Sequence, residues 1–210
     1  MNITVLGTGN MATGLAGLLG RAGYNIHIGA RDTEKAHNLV ASLPGDIVAS
    51  DMATAVTKAD VVVLALPYDA VATVLADIGD VSGKVLIDIT NPLTPDYMGL
   101  TIGHQTSAAE EIQKLAPKAH VVKAFNTIFA QVLQSGGKVS GAGATVFIAG
   151  DDDASNDTVA AIVTQIGLLP LKTGGLIRAR YLEPVAGLNI ALGYGVGLGT
   201  GIAPTWVGLA

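Results

Sequence analysis

Short apolar runs recur along the chain and alternate with stretches of helical periodicity. Six of these runs predict strands, namely Ile3–Leu6, Ile26–Ile28, Val61–Leu66, Val85–Ile89, Val121–Phe125 and Val146–Ile148. Five further stretches predict helices, namely Met11–Ala22, Thr33–Ser42, Met52–Thr57, Tyr68–Ile78 and Ala154–Ile166. Some of the strands are apolar at every position, which is typical of parallel strands covered by helices on both faces. The pattern therefore predicts an α/β fold built on a doubly wound, mainly parallel sheet.

Residues 175–210 have a different character. A last helix is predicted to begin near Leu176 and to continue into a glycine-rich tail. No charged residue occurs from Pro184 to Ala210, a length that could cross a bilayer. Seven glycines and Pro204 oppose a membrane helix, because an interior glycine costs about 1 kcal/mol and a proline about 3 kcal/mol. We expect this segment to share one globule with residues 1–174, as a wall of a substrate site or of a dimer interface, without membrane contact.

The charge balance argues against a nucleic-acid partner. The chain has 210 residues, of which 50% are hydrophobic and 14% are charged. Twelve basic and 17 acidic residues give a net charge of −5, whereas nucleic-acid-binding proteins usually carry a basic excess or patch. The low charge content and the uncharged tail favour a homo-oligomer.

The chain contains no cysteine, which excludes disulfides, thiolate metal sites and a cysteine nucleophile. This composition fits the reducing cytoplasm, and no basic segment precedes an apolar one near Met1. The four histidines lack metal-ligand spacing, and we interpret Asp151–Asp153 as the cap of the following helix rather than as a metal site. We therefore predict a cytoplasmic protein without a bound metal.

A glycine-rich motif follows the first predicted strand directly. It reads Gly7-Thr8-Gly9-Asn10-Met11-Ala12 and has the form G-x-G-x-x-A. In such motifs the first glycine allows a tight turn, the second lets the backbone approach a pyrophosphate, and the small final residue lets helix and strand pack closely. The helix that starts here offers its N–H groups to the anion. The motif therefore predicts dinucleotide binding and a Rossmann-type fold for residues 1–174.

The end of the second predicted strand indicates which dinucleotide is bound. NAD enzymes usually carry Asp or Glu at this strand end to bind the ribose 2′-hydroxyl, but this chain has Gly29 and Ala30 there. Arg31 follows, with a planar guanidinium suited to a phosphate, and Lys35 lies one turn further on. We predict NADP(H). In the alternative interpretation Arg31 is solvated and Lys35 pairs with an acidic neighbour.

Several motifs in order along the chain resemble one family. They are Gly7-Thr8-Gly9-Asn10, Gly29-Ala30-Arg31-Asp32 with Glu34-Lys35-Ala36, Leu66-Pro67-Tyr68, Ile89-Thr90-Asn91-Pro92, Val122-Lys123-Ala124-Phe125-Asn126-Thr127, Gly150-Asp151-Asp152 and Ala179-Arg180-Tyr181-Leu182-Glu183-Pro184. The chain resembles the NADP oxidoreductases that depend on coenzyme F420, a deazaflavin. It is also similar to the cytoplasmic reductase domain of the six-transmembrane ferric reductases.

This resemblance implies a set of ligand-binding residues. Around the 2′-phosphate the resemblance places Thr8, Ala30, Arg31 and Lys35. On the nicotinamide side it places Leu66, Pro67 and Tyr68, with Asn91 and Pro92 at the next strand end. Beneath the second redox ring it places Ala124, Phe125, Asn126 and Thr127. Many relatives have serine where this chain has Ala30, and some deazaflavin-using relatives have histidine where it has Asn126. The resemblance therefore supports NADP(H) as the first ligand more strongly than it supports F420 or a flavin as the second.

The leading functional hypothesis is hydride transfer between NADP(H) and a deazaflavin (F420) or flavin-like acceptor. Such a transfer requires alignment of two rings and exclusion of water, and it needs no catalytic acid from the protein. We see no paired carboxylates at the predicted strand ends and assign no catalytic residue. One alternative is reduction of a small carbonyl, imine or quinone, with Tyr68, Tyr97 or His104 as candidate proton donors. The other is an NADP-binding module without catalysis.

Overall fold

The structure is a computed structural model that describes residues 1–206 and 208. Eight strands form one sheet in the order β3-β2-β1-β4-β5-β6-β9-β10. They are β1 (Asn2–Leu6), β2 (Asn25–Gly29), β3 (Ile47–Ser50), β4 (Val61–Leu64), β5 (Val85–Asp88), β6 (His120–Lys123), β9 (Thr145–Gly150) and β10 (Leu169–Gly174). A two-residue hairpin of β7 (Lys138–Val139) and β8 (Ala142–Gly143) stands apart from this sheet.

Eight α-helices connect or flank these strands. They are α1 (Asn10–Arg21), α2 (Thr33–Ala41), α3 (Met52–Val56), α4 (Tyr68–Asp77), α5 (Ala108–Leu115), α6 (Ala130–Gln134), α7 (Asp153–Gln165) and α8 (Ala179–Ile190) within the described residues. A 3₁₀ turn, Leu176–Arg178, leads into α8, and a π-helical turn, Ala191–Gly195, extends it.

The first six strands run parallel in the order 3-2-1-4-5-6, which confirms the predicted Rossmann-type, doubly wound fold. β9 pairs with β6 in the antiparallel direction, and β10 then runs parallel to β9. The strand order reverses between β1 and β4, where ligands of such sheets bind outside the carboxyl ends of the strands.

Six strands and helices, among them the hairpin strands β7 and β8, and several boundaries differ from the sequence-based prediction. The unpredicted strands β3 and β10 lie at the two edges of the sheet, where polar, exposed positions and Pro170 interrupt an apolar pattern. The unpredicted helices α5 and α6 have only eight and five residues. The strand predicted to reach Leu66 ends at Leu64, because the chain then turns toward Pro67 and α4.

The acidic run before α7 caps that helix, as predicted. The Asp152 carboxylate accepts the Ser155 N–H at 2.8 Å and the Ser155 hydroxyl at 2.6 Å. Its neighbour Asp151 accepts the Leu176 N–H at 2.7 Å and so joins the start of α7 to the C-terminal segment.

The C-terminal segment, as far as Trp206, packs against the rest of the fold rather than projecting from it. Ile202 and Ala203 lie against the main hydrophobic core. The Thr205 hydroxyl lies 2.8 Å from that of Thr145, and Trp206 meets Phe147 edge to face at 5.4 Å between centroids. Across residues 1–206 and 208, no helix combines the length and apolar character that a membrane crossing requires.

Helix α1 approaches α6 closely at Gly14. A Cβ atom at Gly14 would lie 2.7 Å from the Leu133 Cβ and 3.3 Å from the Ala130 carbonyl oxygen. One turn later, a Cβ at Gly17 would meet the Leu43 Cδ2 at 3.5 Å, which is ordinary van der Waals contact. The close contact with α6 therefore requires glycine at position 14, whereas position 17, which faces Leu43, has room for a methyl group.

We predict opposite stability effects for the same substitution at these two glycines. Gly17→Ala should raise the free energy of unfolding by up to about 1 kcal/mol, because alanine favours the helix. Gly14→Ala should lower it by about 1–2 kcal/mol, because the clash with α6 outweighs that gain. Urea denaturation followed by circular dichroism measures both, and equal effects would contradict the close α1–α6 contact.

Candidate functional site

The loop after β1 brings the backbone against the end of β4. Gly7 has a φ of +121°, its N–H donates to the Gly29 carbonyl at 2.8 Å, and a Cβ there would lie 2.3 Å from the Ala65 carbonyl oxygen. At Gly9, by contrast, a Cβ would meet no atom within 4 Å. The loop is thus tightly packed on its inner side and open at Gly9, as a backbone that approaches a pyrophosphate needs to be.

The N-terminus of α1 lies at the open side of this loop. Gly9 is the N-cap residue, and no side chain caps the helix. The first N–H groups of a helix have no partner within the helix, so they are available to an anion. Predicted residues Asn10 and Met11 form this first turn, with Asn10 exposed and Met11 half-buried.

A cavity of about 290 Å³ lies beyond the end of β2, between α3 and α4. Among its lining residues are two of the predicted ones, Ala30 and Arg31, together with Asp51 and Thr73. The Arg31 side chain is exposed, whereas Ala30 is buried and its N–H donates to the Ser50 carbonyl. Arg31 is the one basic residue among the described lining residues, and the carboxylates of Asp51 and Asp77 line the same cavity.

Lys35 lies outside this cavity. Its ammonium group is 3.4 Å from the Asp32 carboxylate, and 73% of the Lys35 side chain is exposed. Asp32 caps α2 by accepting the Lys35 N–H, which is the main cause that lowers the pKa of Asp32, with the Lys35 side chain contributing further. Of the two predicted phosphate-binding cations, only Arg31 lines the cavity.

A larger cavity of about 700 Å³ opens at the carboxyl ends of β5 and β6. Five predicted ligand-binding residues line it: Asn10, Met11, Asn91, Asn126 and Thr127. Its other lining residues are Ile89, Asp96, Tyr97, Met98, Ile128, Phe129, Ala130, Gln131, Ala186, Asn189, Ile190 and Tyr194. The helix that carries the glycine-rich motif and the C-terminal helix α8 therefore face the same space.

Two asparagine side chains form a reciprocal pair at the base of this cavity. The Asn91 Nδ2 donates to the Asn126 backbone carbonyl at 2.9 Å, and the Asn126 Nδ2 donates to the Asn91 Oδ1 at 3.0 Å. The same Asn126 Nδ2 also donates to the Leu182 carbonyl at 3.1 Å, so both of its hydrogens are used.

Two buried oxygen atoms beside this pair have no protein partner. They are the Asn126 Oδ1 and the Thr127 Oγ1, on side chains that are 94% and 98% buried in the described structure. A buried polar atom without a hydrogen bond is costly. Because neither atom has appreciable exposed surface, a ligand in the cavity would satisfy them only after a shift of the surrounding side chains.

Phe125, which precedes Asn126 in the chain, adopts an unusual backbone conformation. Phe125 has a φ of +61° although it is a bulky residue and only 1% exposed. A left-handed conformation in such a residue costs on the order of 1–3 kcal/mol and tends to occur at functional sites. This turn directs the chain from β6 so that Asn126 and Thr127 lie over the strand end.

The remaining predicted residues line neither cavity. Gly7, Thr8 and Gly9 form the loop, Leu66, Pro67 and Tyr68 lie at the start of α4, and Pro92 and Ala124 are buried. Burial raises the pKa of Tyr68, and the charges of Glu111, Glu183 and Asp88 raise it further. Among the candidate proton donors only Tyr97 lines the large cavity.

The strand ends also hold a buried set of charged side chains that the sequence pattern did not reveal. At the end of β5 and β6, the Lys123 Nζ lies 2.8 Å from both the Asp88 Oδ2 and the Glu183 Oε1. All three side chains are buried. Burial raises the pKa of Glu183, while Lys123 and the Ala108 N–H oppose that shift. We call these three residues the buried ion cluster.

The large cavity is nearly neutral in charge. Its one charged lining residue among the described ones is Asp96. The Asp96 Oδ1 accepts the Thr94 hydroxyl at 2.5 Å, the main cause that lowers the pKa of Asp96, and also the Met98 N–H. Apolar and amide side chains make up most of the remaining wall, so the cavity suits a flat, largely uncharged ligand with hydrogen-bonding groups at its edge.

Several lining residues could not be identified from the sequence. Asn189 and Ile190 are in an apolar segment without a motif, and only the uncharged character of that segment marked it as a wall. In the described part of the glycine-rich tail that follows α8, only Tyr194 lines the cavity. It packs edge to face on Phe129, with 5.6 Å between ring centroids.

Comparison with known proteins agrees with this architecture. Residues 2–92 match the family described as NADP oxidoreductase, coenzyme F420-dependent. A crystal structure of a provisionally named F420-dependent NADP reductase from Arthrobacter sp. FB24 has a TM-score of 0.85 and 28% identity, covering 94% of this chain and 96% of that one.

Two curated relatives differ in length. The metalloreductase STEAP3 of Rattus norvegicus is 30% identical over 183 residues, which is 87% of this chain but 36% of the rat protein, so the chain spans about a third of that relative. The F420-dependent NADP reductase of Methanothermobacter thermautotrophicus is 34% identical over 208 residues, covering 91% of this chain and 89% of the relative. The resemblance in the motifs is thereby confirmed, and the chain belongs to the family of F420-dependent NADP reductases, which are oxidoreductases.

Proposed function

We propose that this protein transfers a hydride between NADP(H) and a deazaflavin, coenzyme F420, or a flavin-like acceptor. The observation that carries the proposal is the large cavity, which joins the first turn of α1 to the ends of β5 and β6 and is lined by neutral amides. Membership of a family whose relatives are named F420-dependent NADP reductases supports the same acceptor.

Two groups of contacts would bind the phosphates of the nucleotide. The N–H groups of the first turn of α1, next to Gly9, would bind the pyrophosphate, and Arg31 would bind the 2′-phosphate at the smaller cavity. Leu66, Pro67 and Tyr68 would flank the nicotinamide. When bound, NADPH supplies the hydride.

The acceptor ring would occupy the large cavity. A deazaflavin or flavin ring carries an imide N–H between two carbonyl groups on one edge, so it can donate one hydrogen bond and accept others. The unpartnered Asn126 Oδ1 and the Thr127 hydroxyl would offer this complementary chemistry after a side-chain shift that exposes them to the cavity. Asn126 and Asn91 would orient the ring, while Ile190 and Tyr194 on the opposite wall would exclude water.

A carbonyl or imine reductase is the second candidate. Such a reaction also needs a proton, and the Tyr97 and Tyr194 side chains line the cavity where a donor would be required. Both side chains are exposed and neither hydroxyl has a partner that would orient it among the described residues, which favours direct hydride transfer between rings. The 700 Å³ volume beside the nucleotide site favours a second ligand over a module that only binds NADP.

We further propose one functional unit made of a nucleotide-binding part, residues 1–174, and a C-terminal wall, residues 175–210, that acts in the cytoplasm as a homodimer. The support for a dimer is a set of exposed apolar side chains: Tyr97, Met98 and Tyr194, which line the large cavity, and Val196 and Leu198, which follow Tyr194 in the chain. Light scattering should then give twice the chain mass of 21.2 kDa, and a monomer at all concentrations would contradict this part of the proposal.

The acceptor can be identified with purified protein and a panel of candidates. We expect NADPH oxidation with coenzyme F420 or, more slowly, with FMN, because the cavity suits a flat neutral ring. Absorbance at the nicotinamide band measures the rate. Turnover with carbonyls or imines alone would favour the second candidate, and turnover with none of these acceptors would favour the binding module.

The substitution Arg31→Ala should weaken the binding of NADPH much more than the binding of NADH. We expect the Kd for NADPH to rise about 10- to 100-fold, because a charge-assisted contact to the 2′-phosphate is lost, while the Kd for NADH changes little. Isothermal titration calorimetry measures both values. Arg21→Ala, at the far end of α1, is the control and should change neither; equal losses for both nucleotides in Arg31→Ala would refute the assignment.

A further inference from the structure

We infer that Lys123 is a positioning residue: through the buried ion cluster it holds α8 in place as a wall of the large cavity. This inference rests on the proposed function, because the wall concerned belongs to the cavity assigned to the acceptor. Lys123 has no exposed surface and lines neither cavity, so it acts through α8 rather than by touching a ligand.

The lysine uses all of its hydrogen-bonding capacity inside the protein. Besides the two carboxylates of the cluster, its Nζ donates to the Thr90 carbonyl at 2.6 Å. The Asp88 Oδ1 in turn accepts the Thr90 N–H at 2.8 Å. A lysine has three N–H donors, so Lys123 is fully satisfied and its position between β5 and α8 is defined in three directions.

Glu183 connects the cluster to two helices at once. It belongs to α8, and its carboxylate also accepts the N–H groups of Ala108 at 3.0 Å and Ala109 at 3.3 Å, at the start of α5. The cluster holds one positive and two negative side chains, and the positive end of α5 offsets the excess negative charge. Glu183 therefore joins β6, α5 and α8 at one point.

Two amide contacts continue this attachment along α8. The Asn126 Nδ2 donates to the Leu182 carbonyl, and the Asn189 Nδ2 donates to the Thr127 carbonyl, each at 3.1 Å. The tied positions 182, 183 and 189 span about 10 Å of helix at 1.5 Å per residue. Ala186, which lines the cavity, lies between them.

Helix α8 benefits from external ties because its own hydrogen bonding is interrupted. Pro184 lies inside the helix and supplies no N–H to it. Hydrophobic residues of similar volume would stabilise the fold as well as a buried ion cluster in many proteins. Ion pairs and hydrogen bonds differ from such packing because they are directional, which is what a wall that must align a ring requires.

Loss of this attachment should weaken acceptor binding selectively. We expect Lys123→Met and Glu183→Gln to raise both the Kd for oxidised F420 or FMN and the KM for that acceptor about tenfold or more, because small displacements of a positioning wall have large effects. The Kd for NADPH should change by less than about threefold, since the phosphate contacts lie on α1 and β2. Fluorescence titration gives both Kd values, and steady-state kinetics gives KM and kcat.

Hydrogen exchange provides a readout that needs no ligand. Residues 182–195 should exchange faster in both variants, while α1 should be unaffected. Lys84→Met is the matched control: its Nζ donates to the Ala59 carbonyl at 2.7 Å, at the opposite end of β5 from the cavity. If Lys123→Met does not fold, Glu183→Gln alone tests the inference, because the glutamine keeps an oxygen that can accept the Ala108 N–H and the fold is therefore less disturbed.

The outcomes separate this inference from the proposed function. Equal loss of NADPH and acceptor binding, or unchanged exchange in residues 182–195, would overturn the role of Lys123. If neither F420 nor FMN binds to the unaltered protein, the proposed function fails, and the exchange experiment still decides whether the cluster holds α8.

Discussion

The carboxyl ends of β1, β4, β5 and β6 meet at one edge of the sheet, and this arrangement governs the rest of the structure. Loops that follow these strands must share a small volume, because parallel strands deliver the chain to the same side. Space is tightest at Gly7, where a Cβ would lie 2.3 Å from the Ala65 carbonyl oxygen. The close approach of backbone to backbone places the open end of α1 beside the large cavity.

The two ends of the proposed ligand site depend on different kinds of interaction. At the phosphate end, backbone N–H groups and the exposed Arg31 are available, and little tertiary support is needed. At the ring end, the Asn91–Asn126 pair and the strained turn at Phe125 require support from several elements. The first end is suited to binding strength, and the second to alignment.

Buried polar groups are concentrated behind the ring end. Lys123, Asp88 and Glu183 form a fully enclosed cluster, and amide contacts from Asn126 and Asn189 extend it along α8. Enclosing these groups carries a desolvation cost that hydrophobic side chains would avoid. Together with the ion pair between Arg180 and Glu110 of α5, their directional contacts give a physical reason why the C-terminal helix, which is interrupted by proline, has one defined position on the sheet.

The sequence by itself determined the local features: the parallel core strands, the G-x-G-x-x-A turn, the cap at Asp152 and the absence of an acidic residue at the end of β2. Each depends on residues that are close in the chain, where periodicity and turn chemistry apply. The edge strands β3 and β10 escaped detection because their half-exposed positions give no continuous apolar signal.

Only the tertiary structure decided the ring end of the site. Asp88 and Lys123 are 35 residues apart, Asn126 and Leu182 are 56 apart, and Thr127 and Asn189 are 62 apart. No local pattern marks such pairs, because their meeting depends on how the strands are ordered and where α8 crosses them. Lys35 was placed near a phosphate by sequence spacing, yet its contact with Asp32 is a matter of side-chain geometry, which spacing alone does not determine.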